Sequence, residues 1–253
     1  MRIEGMAALV AGGGSGLGAA TAATLAEAGA RVAVLDRDAD AARRVAEAVG
    51  GAGFGCDVAD AEGTARAVAE ARERHGAARI LVNCAGVAPV GKILGREGVM
   101  DLDAFRRAVE VNLVGSFNTL RLAVAGMAGL EPLETGERGV VVNTASVAAF
   151  EGQVGQTAYA ASKAGVVGLT LPAARELAAL GIRVCAVAPG LFETPMLAGL
   201  PEAAQASLGA SVPFPARLGR PAEFAALVRA IVENPMLNGE TIRLDGALRM
   251  APR

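Results

Sequence analysis

The chain has no tryptophan, one tyrosine and one histidine among its 253 residues. With His75 as the sole histidine, a multi-histidine metal cluster or a histidine-centred nucleophilic triad has almost nothing to be built from. His75 itself precedes Gly76 at the end of a helical stretch, where interaction with the helix C-terminus explains it without chemistry. The three cysteines, Cys56, Cys84 and Cys185, are odd in number, lack CxxC spacing and sit among apolar strand-like residues, which points to buried reduced thiols rather than disulfides or a metal site. Charge of one sign is also missing. A net charge of -2 with interspersed signs gives no basic stripe, so a nucleic-acid or anionic-membrane partner has no electrostatic support. No apolar run reaches the ~20 residues of a membrane span, and the N-terminus has no charged-then-apolar signal pattern. The sequence reads as cytosolic.

Aromatics at 3% and apolar residues at 53% mean that the interior is packed from Ala, Val, Leu and Ile. The apolar segments are ordered. Strand-like AALVAG, RVAVLD, GFGCD and ILVNCAG alternate with amphipathic stretches over Leu17 to Ala28, Ala39 to Val49 and Ala61 to Arg74. A helix from about Asp101 to Met127, strand GVVVNTAS, a helix around Tyr159, strand IRVCAVAPG and a last helix and strand near Glu223 and Thr241 to Leu244 complete the pattern. This rhythm predicts one α/β domain over 1–253, of the Rossmann-type doubly wound kind, with a seven-stranded parallel sheet flanked by helices. In such sheets ligands sit at the carboxyl ends of the strands. Two stretches break the rhythm: Pro89 to Met100, read as the rim of a cleft or a surface insertion, and about 190–215, read as a substrate lid. Pro172 falls inside the helix begun near Tyr159 and is expected to bend it.

The glycine cluster AGGGSGLG, Ala11 to Gly18, follows a strand and opens a helix, where a backbone must approach a pyrophosphate without side chains in the way. Its register is Gly12-xxx-Gly16-x-Gly18 rather than GxGxxG, because Leu17 holds the place of the third glycine. Asp36, about 20 residues on at the end of the second strand, can accept hydrogen bonds from ribose hydroxyls and would repel a 2'-phosphate. Arg37 beside it could hold that phosphate, but Asp36, Asp38 and Asp40 make the neighbourhood acidic, which favours NAD over NADP. Asp38 suits the helix cap, leaving Asp36 for the cofactor. Asp57 and Val58 are placed for the adenine edge, and Asn83, Cys84, Ala85 and Gly86 for the nicotinamide side.

Tyr159 and Lys163, four residues apart, share one helix face shortly after Ser146 in TASVAAFEGQVGQTAYAASKAG. A phenol with a pKa near ~10 becomes a working base only if neighbouring positive charge favours its anion, and Lys163 is the residue expected to lower it. Ser146 would hold the substrate oxygen.

With AGGGSGLG, Asp36, NCAG, VNLVG, Ser146, Tyr159-AAS-Lys163 and APG in this order and spacing, the chain resembles the short-chain dehydrogenase/reductase family over essentially its whole length. NTASVAAFEGQVGQTAYAASK, APGLFETPML, VPFPARLGRPAEFA and ENPMLNGETIRLDGALRM look like a branch of it that oxidises 3-hydroxyacyl-CoA. The resemblance implies Tyr159 as acid/base, Lys163 lowering its pKa and binding the nicotinamide ribose, Ser146 orienting the substrate oxygen, and Asn112 supporting a proton relay through a helix irregularity. It also implies that Ser15, Leu17, Asp36, Asp57, Val58, Cys84, Pro189, Gly190, Phe192 and Thr194 line NAD, that Gln153 faces an acyl-CoA or other secondary-alcohol substrate, and that four copies assemble. Ala11 replaces the threonine usual in that family before the first glycine. An NADPH-linked 3-oxoacyl reductase and a non-catalytic NAD-binding scaffold are the alternatives; keeping Asn112, Ser146, Tyr159 and Lys163 together argues against the scaffold.

Overall fold

The computed structural model describes residues 1–96, 98–199 and 201–252, with the backbone alone at Met196. Glu97 and Leu200, which fall within the two irregular stretches, lie outside the described residues.

Elements alternate from the start: β1 (Ala7–Ala11), α1 (Gly16–Glu27), β2 (Arg31–Asp36), α2 (Ala39–Ala48), β3 (Ala52–Gly55), α3 (Ala61–His75) and β4 (Ile80–Asn83). A two-residue antiparallel ladder, β5 (Leu94–Gly95) with β6 (Gly98–Val99), follows in the Pro89 excursion. Then come α4 (Leu102–Val109), a π-helical turn (Glu110–Val114), α5 (Gly115–Ala128), β7 (Gly139–Thr144), α6 (Thr157–Leu177) and β8 (Ile182–Pro189). Short α7 (Pro195–Ala198), α8 (Glu202–Ala210), α9 (Pro221–Glu233) and β9 (Thr241–Leu244) end the chain. Seven strands form one wholly parallel sheet in the order β3-β2-β1-β4-β7-β8-β9. The expected α/β architecture is the observed one, and the order reverses between β1 and β4, the crevice where a nucleotide belongs.

Strand alternation builds the two covered faces. Ala8, Val10, Val32, Val34, Ile80, Val82, Val140 and Val142 pack on one side against Leu25 of α1 and Phe224, Val228 and Ile231 of α9. Their intervening neighbours Leu9, Leu35, Leu81, Val141 and Val184 pack on the other against Ala67 and Ala71 of α3, Leu120 and Met127 of α5 and Leu177 of α6. The helices start where carboxylates can take their free N–H groups. Asp38 accepts from Asp40 and Ala41, and Asp60 and Asp101 do the same for α3 and α4. α6 continues across Pro172, whose missing N–H leaves one helical bond unmade. The helix expected over Asp101 to Met127 is two helices joined by the π turn, and that turn carries Asn112.

Candidate active site

At the carboxyl ends of the strands a cleft of about 450 Å³ receives residues from nine segments of the chain. Its first wall is the β1–α1 turn. Gly12 has a positive φ of 71°, its N–H donates to Leu35 O at 2.8 Å, and a Cβ there would lie 2.3 Å from Ala85 N. A Cβ on Gly18 would lie 2.1 Å from Gly12 O. Glycine is therefore required at both ends of the turn, and the backbone comes close to the cleft. Ser15 precedes α1 with its hydroxyl making no cap, so the first N–H groups of a 12-residue helix stay available to an anion.

Asp36 ends β2 beside this turn. Its Oδ2 accepts from Gly14 N at 2.9 Å and its Oδ1 from Asp38 N at 3.0 Å, which fixes the carboxylate at the cleft edge with lone pairs to spare. Asp38 performs the cap, as the sequence suggests. Arg37 is exposed and also reaches the cleft. Asp57 accepts from Ala59 N at 3.0 Å and Val58 is buried, both on the cleft wall. Cys84, Ala85 and Gly86 run beneath it. Burial pushes the Cys84 thiol up to about 11, so it is a packed neutral group.

The side chains expected to carry the chemistry come from the segment after β7 and from α6. Ser146 starts the short turn after β7, where its Oγ accepts from Ala148 N at 3.1 Å. Tyr159, on the first turn of α6, is half-buried against it. Lys163, one turn further, is buried, its Nζ donating to Thr144 O at 2.6 Å and lying 5.9 Å from the Tyr159 ring centre. The lowering of the tyrosine pKa expected from Lys163 meets an opposing effect. Burial pushes the phenol upward, and the hydrogen bond with Ser146 is what opposes it. The lysine is itself desolvated down to about 8, with a backbone carbonyl as its near partner.

Of the residues singled out from sequence, Gly12, Ser15, Gly16, Leu17, Gly18, Asp36, Asp57, Val58, Cys84, Ala85, Gly86, Ser146, Tyr159, Lys163, Pro189, Gly190, Phe192 and Thr194 all line the cleft. Three do not. Asn83 is buried below it, donating to Asn143 Oδ1 at 2.9 Å and Ser116 O at 3.1 Å while accepting from Thr119. Asn112 is buried in the π turn and holds the 86–87 backbone: Oδ1 accepts from Val87 N and Nδ2 donates to Val87 O, both at 2.8 Å, with a further bond to Ser162 Oγ at 2.9 Å. Asn112 thus ties the 87 backbone to the α6 residue Ser162. Gln153 turns away, its Nε2 donating to Ala251 O at 3.0 Å, and Gln156 stands on the cleft wall instead. Sequence reasoning missed Thr144, Gln156, Val87, Leu191 and Met250. Thr144 could have been found in the VNTAS run; Met250 arrives from the far end of the chain and left no local signal.

The glycine cradle, open helix N-terminus and ribose-ready carboxylate fit a dinucleotide, and the hydroxyl pair with its buried amine fits proton transfer at the far end. Together they define a nicotinamide-dependent oxidoreductase. The sequence matches the short chain dehydrogenase family over residues 6–205, and the chain belongs to that family. It is 50% identical over 254 residues to 3-hydroxyacyl-CoA dehydrogenase type-2 of Drosophila melanogaster, spanning 99% of this chain and 100% of that one. The Homo sapiens protein of the same name is 50% identical over 257 residues, 99% of this chain and 97% of the other. The crystal structure of 3-hydroxyacyl-CoA dehydrogenase type-2 from Mycobacterium avium aligns with a TM-score of 0.93 at 40% identity, covering 98% of both chains.

Proposed function

We propose that this protein interconverts a secondary alcohol and its ketone with NAD, and that the substrate is a 3-hydroxyacyl-CoA. The observation that carries the chemistry is the convergence of the Ser146 and Tyr159 hydroxyls beside the buried Lys163 amine. The substrate oxygen sits between Ser146 Oγ and Tyr159 Oη; in oxidation its proton passes to the tyrosine oxygen, and in reduction the phenol returns it. A bound nicotinamide ring supplies the hydride acceptor and, when oxidised, a positive charge. Lys163 remains an ammonium below about pH 8 and has two N–H donors beyond the one spent on Thr144 O, enough for a ribose hydroxyl. Oxidation gains as pH rises because the ionised phenol is the base, and burial moves that gain to more alkaline pH.

NAD is favoured by Asp36, whose carboxylate would meet a 2'-phosphate at close range. Arg37 on the same edge supports the NADPH-linked 3-oxoacyl reductase as a second reading, and parallel kinetics with both cofactors separate the two. The acyl-CoA assignment is supported by full-length likeness at 50% identity to proteins of that name. A lid over 190–215 is supported by Leu191, Phe192, Thr194 and Leu197 on the cleft wall, and a homotetramer by exposed Val114, Phe117 and Leu171 on the helical surface. A cytosolic setting agrees with three unpaired cysteines.

Tyr159→Phe tests the reading. The folded variant should bind NAD as the parent does and lose at least about 100-fold in turnover of a 3-hydroxyacyl-CoA, measured as NADH formed. Retention within about tenfold of parent turnover refutes the acid/base role.

A further inference from the structure

The last residues of the chain return to the active site and are held there by an ionic clasp. After β9 the backbone reverses through Gly246 and Ala247, both at positive φ (59° and 66°), with Asp245 Oδ1 accepting from Ala247 N at 3.0 Å. A left-handed alanine is a strained choice, so the surrounding contacts must hold it. They centre on Arg243. Its guanidinium is bidentate to Glu151, Nη1 to Oε1 at 2.8 Å and Nη2 to Oε2 at 2.9 Å, while Nε donates to Asp245 Oδ2 at 2.7 Å and Nη2 also reaches Leu248 O at 3.0 Å. The same group stacks 5.2 Å from the centre of the Phe150 ring. Arg249 adds ion pairs to Glu151 at 3.4 Å and Asp245 at 3.2 Å.

What this clasp joins is specific. Glu151 belongs to the turn between Ser146 and Tyr159. That turn takes three further bonds from the tail: Met250 N to Glu151 Oε2 at 3.3 Å, Gln153 Nε2 to Ala251 O at 3.0 Å, and Val154 N to Pro252 O at 3.0 Å. Asp245 packs on Gly190, where a Cβ would come within 2.9 Å of it. Met250 is thereby delivered onto the wall of the cleft, its backbone tied to the turn that joins Ser146 to Tyr159. A flexible thioether side chain is a contact suited to an alkyl chain.

We propose that this C-terminal segment is a specificity element: Met250 forms the wall against the apolar substituent of the reacting carbon, and Arg243 is the positioning residue that holds it. The proposal rests on the oxidoreductase reading above. Removing side-chain volume at Met250 makes room for longer or bulkier substituents and adding it takes room away, at about fourfold in selectivity per methylene gained or lost from contact.

The test uses the full chain with NAD and two homologous series, 3-hydroxyacyl-CoAs and simple secondary alcohols, each graded from short to long. The readout is the ratio of kcat/KM for long over short substrates. Met250→Ala should raise that ratio roughly fourfold or more, Met250→Phe should lower it comparably, and Arg243→Met should move it in the direction of Met250→Ala. Hydrogen exchange supplies the second measurement: the Met250 and Val154 amides should exchange at least about tenfold faster in Arg243→Met than in the parent. Ratios unchanged within about twofold in both Met250 variants overturn the proposal, as does unchanged exchange in Arg243→Met. A parent that turns over neither series sinks the oxidoreductase reading and the specificity role with it; turnover with unchanged ratios sinks the role alone.

Discussion

Lys163 is predicted to make this protein's stability depend on pH in a window where most proteins titrate little. Its pKa falls from an ordinary 10.5 to about 8 because the amine is buried, with the Thr144 carbonyl as its hydrogen-bond partner. The unfolded chain therefore holds more protons between those values, so folding free energy improves as pH rises through the window. At about 1.4 kcal/mol per pH unit, keeping the buried ammonium at pH 7 costs about 3 kcal/mol, of which about 1 kcal/mol is recovered by pH 9. Comparison with Lys163→Met isolates this effect, since other titrating groups cancel. The variant leaves the Thr144 carbonyl unpaired, a pH-independent cost of about 1–3 kcal/mol, so the informative quantity is the slope of the difference rather than its sign at one pH. Urea unfolding of both proteins at matched concentration, near pH 7, 8 and 9, should show the parent gaining about 1 kcal/mol on the variant with similar m-values. Parallel stabilities across that range would refute a depressed lysine.

Three other outcomes follow from the geometry. Gly12→Ala places a Cβ 2.3 Å from Ala85 N at a positive φ, so it should weaken NAD binding at least about 100-fold by calorimetry and cost roughly 2–5 kcal/mol of stability; near-parent affinity would remove the turn from the cofactor site. Asp36→Asn should lower the NAD-over-NADP ratio of kcat/KM by about tenfold or more, and an unchanged ratio would mean that the carboxylate does not meet the ribose. The Cys84 thiol, pushed up to about 11, should resist iodoacetamide at neutral pH at least about 100-fold better than a free thiol, and rapid alkylation seen by mass spectrometry would contradict that shift.

The sheet was legible because most of its strands are short apolar runs whose alternate residues sort onto two faces, as Val10 and Leu9 or Val142 and Val141 do. Gly18 and Asp36 were legible because their roles are set by neighbours within about one βαβ unit, and Gly12 because it belongs to the same glycine cluster. Asn83 and Gln153 sit beside motif residues but spend their amides elsewhere, on Asn143 and on Ala251, and those partners are distant in sequence. The Tyr159 to Lys163 spacing could be read directly, whereas the effect of burial on both groups could not, since desolvation depends on everything packed around them. The arrival of Met250 at the cleft is hidden for the same reason. It depends on ion pairs between residues 92 positions apart, Glu151 and Arg243.

The only tyrosine of a tryptophan-free chain stands in the catalytic cleft, and this gives the molecule a built-in spectroscopic reporter. Near-ultraviolet emission, the weak phenylalanine contribution aside, comes from one ring, and ionisation of that ring moves its absorption to longer wavelength. In the protein without bound ligands, proton loss at the reacting oxygen can be followed by fluorescence and difference absorbance on unlabelled protein, with no second tyrosine or tryptophan to subtract.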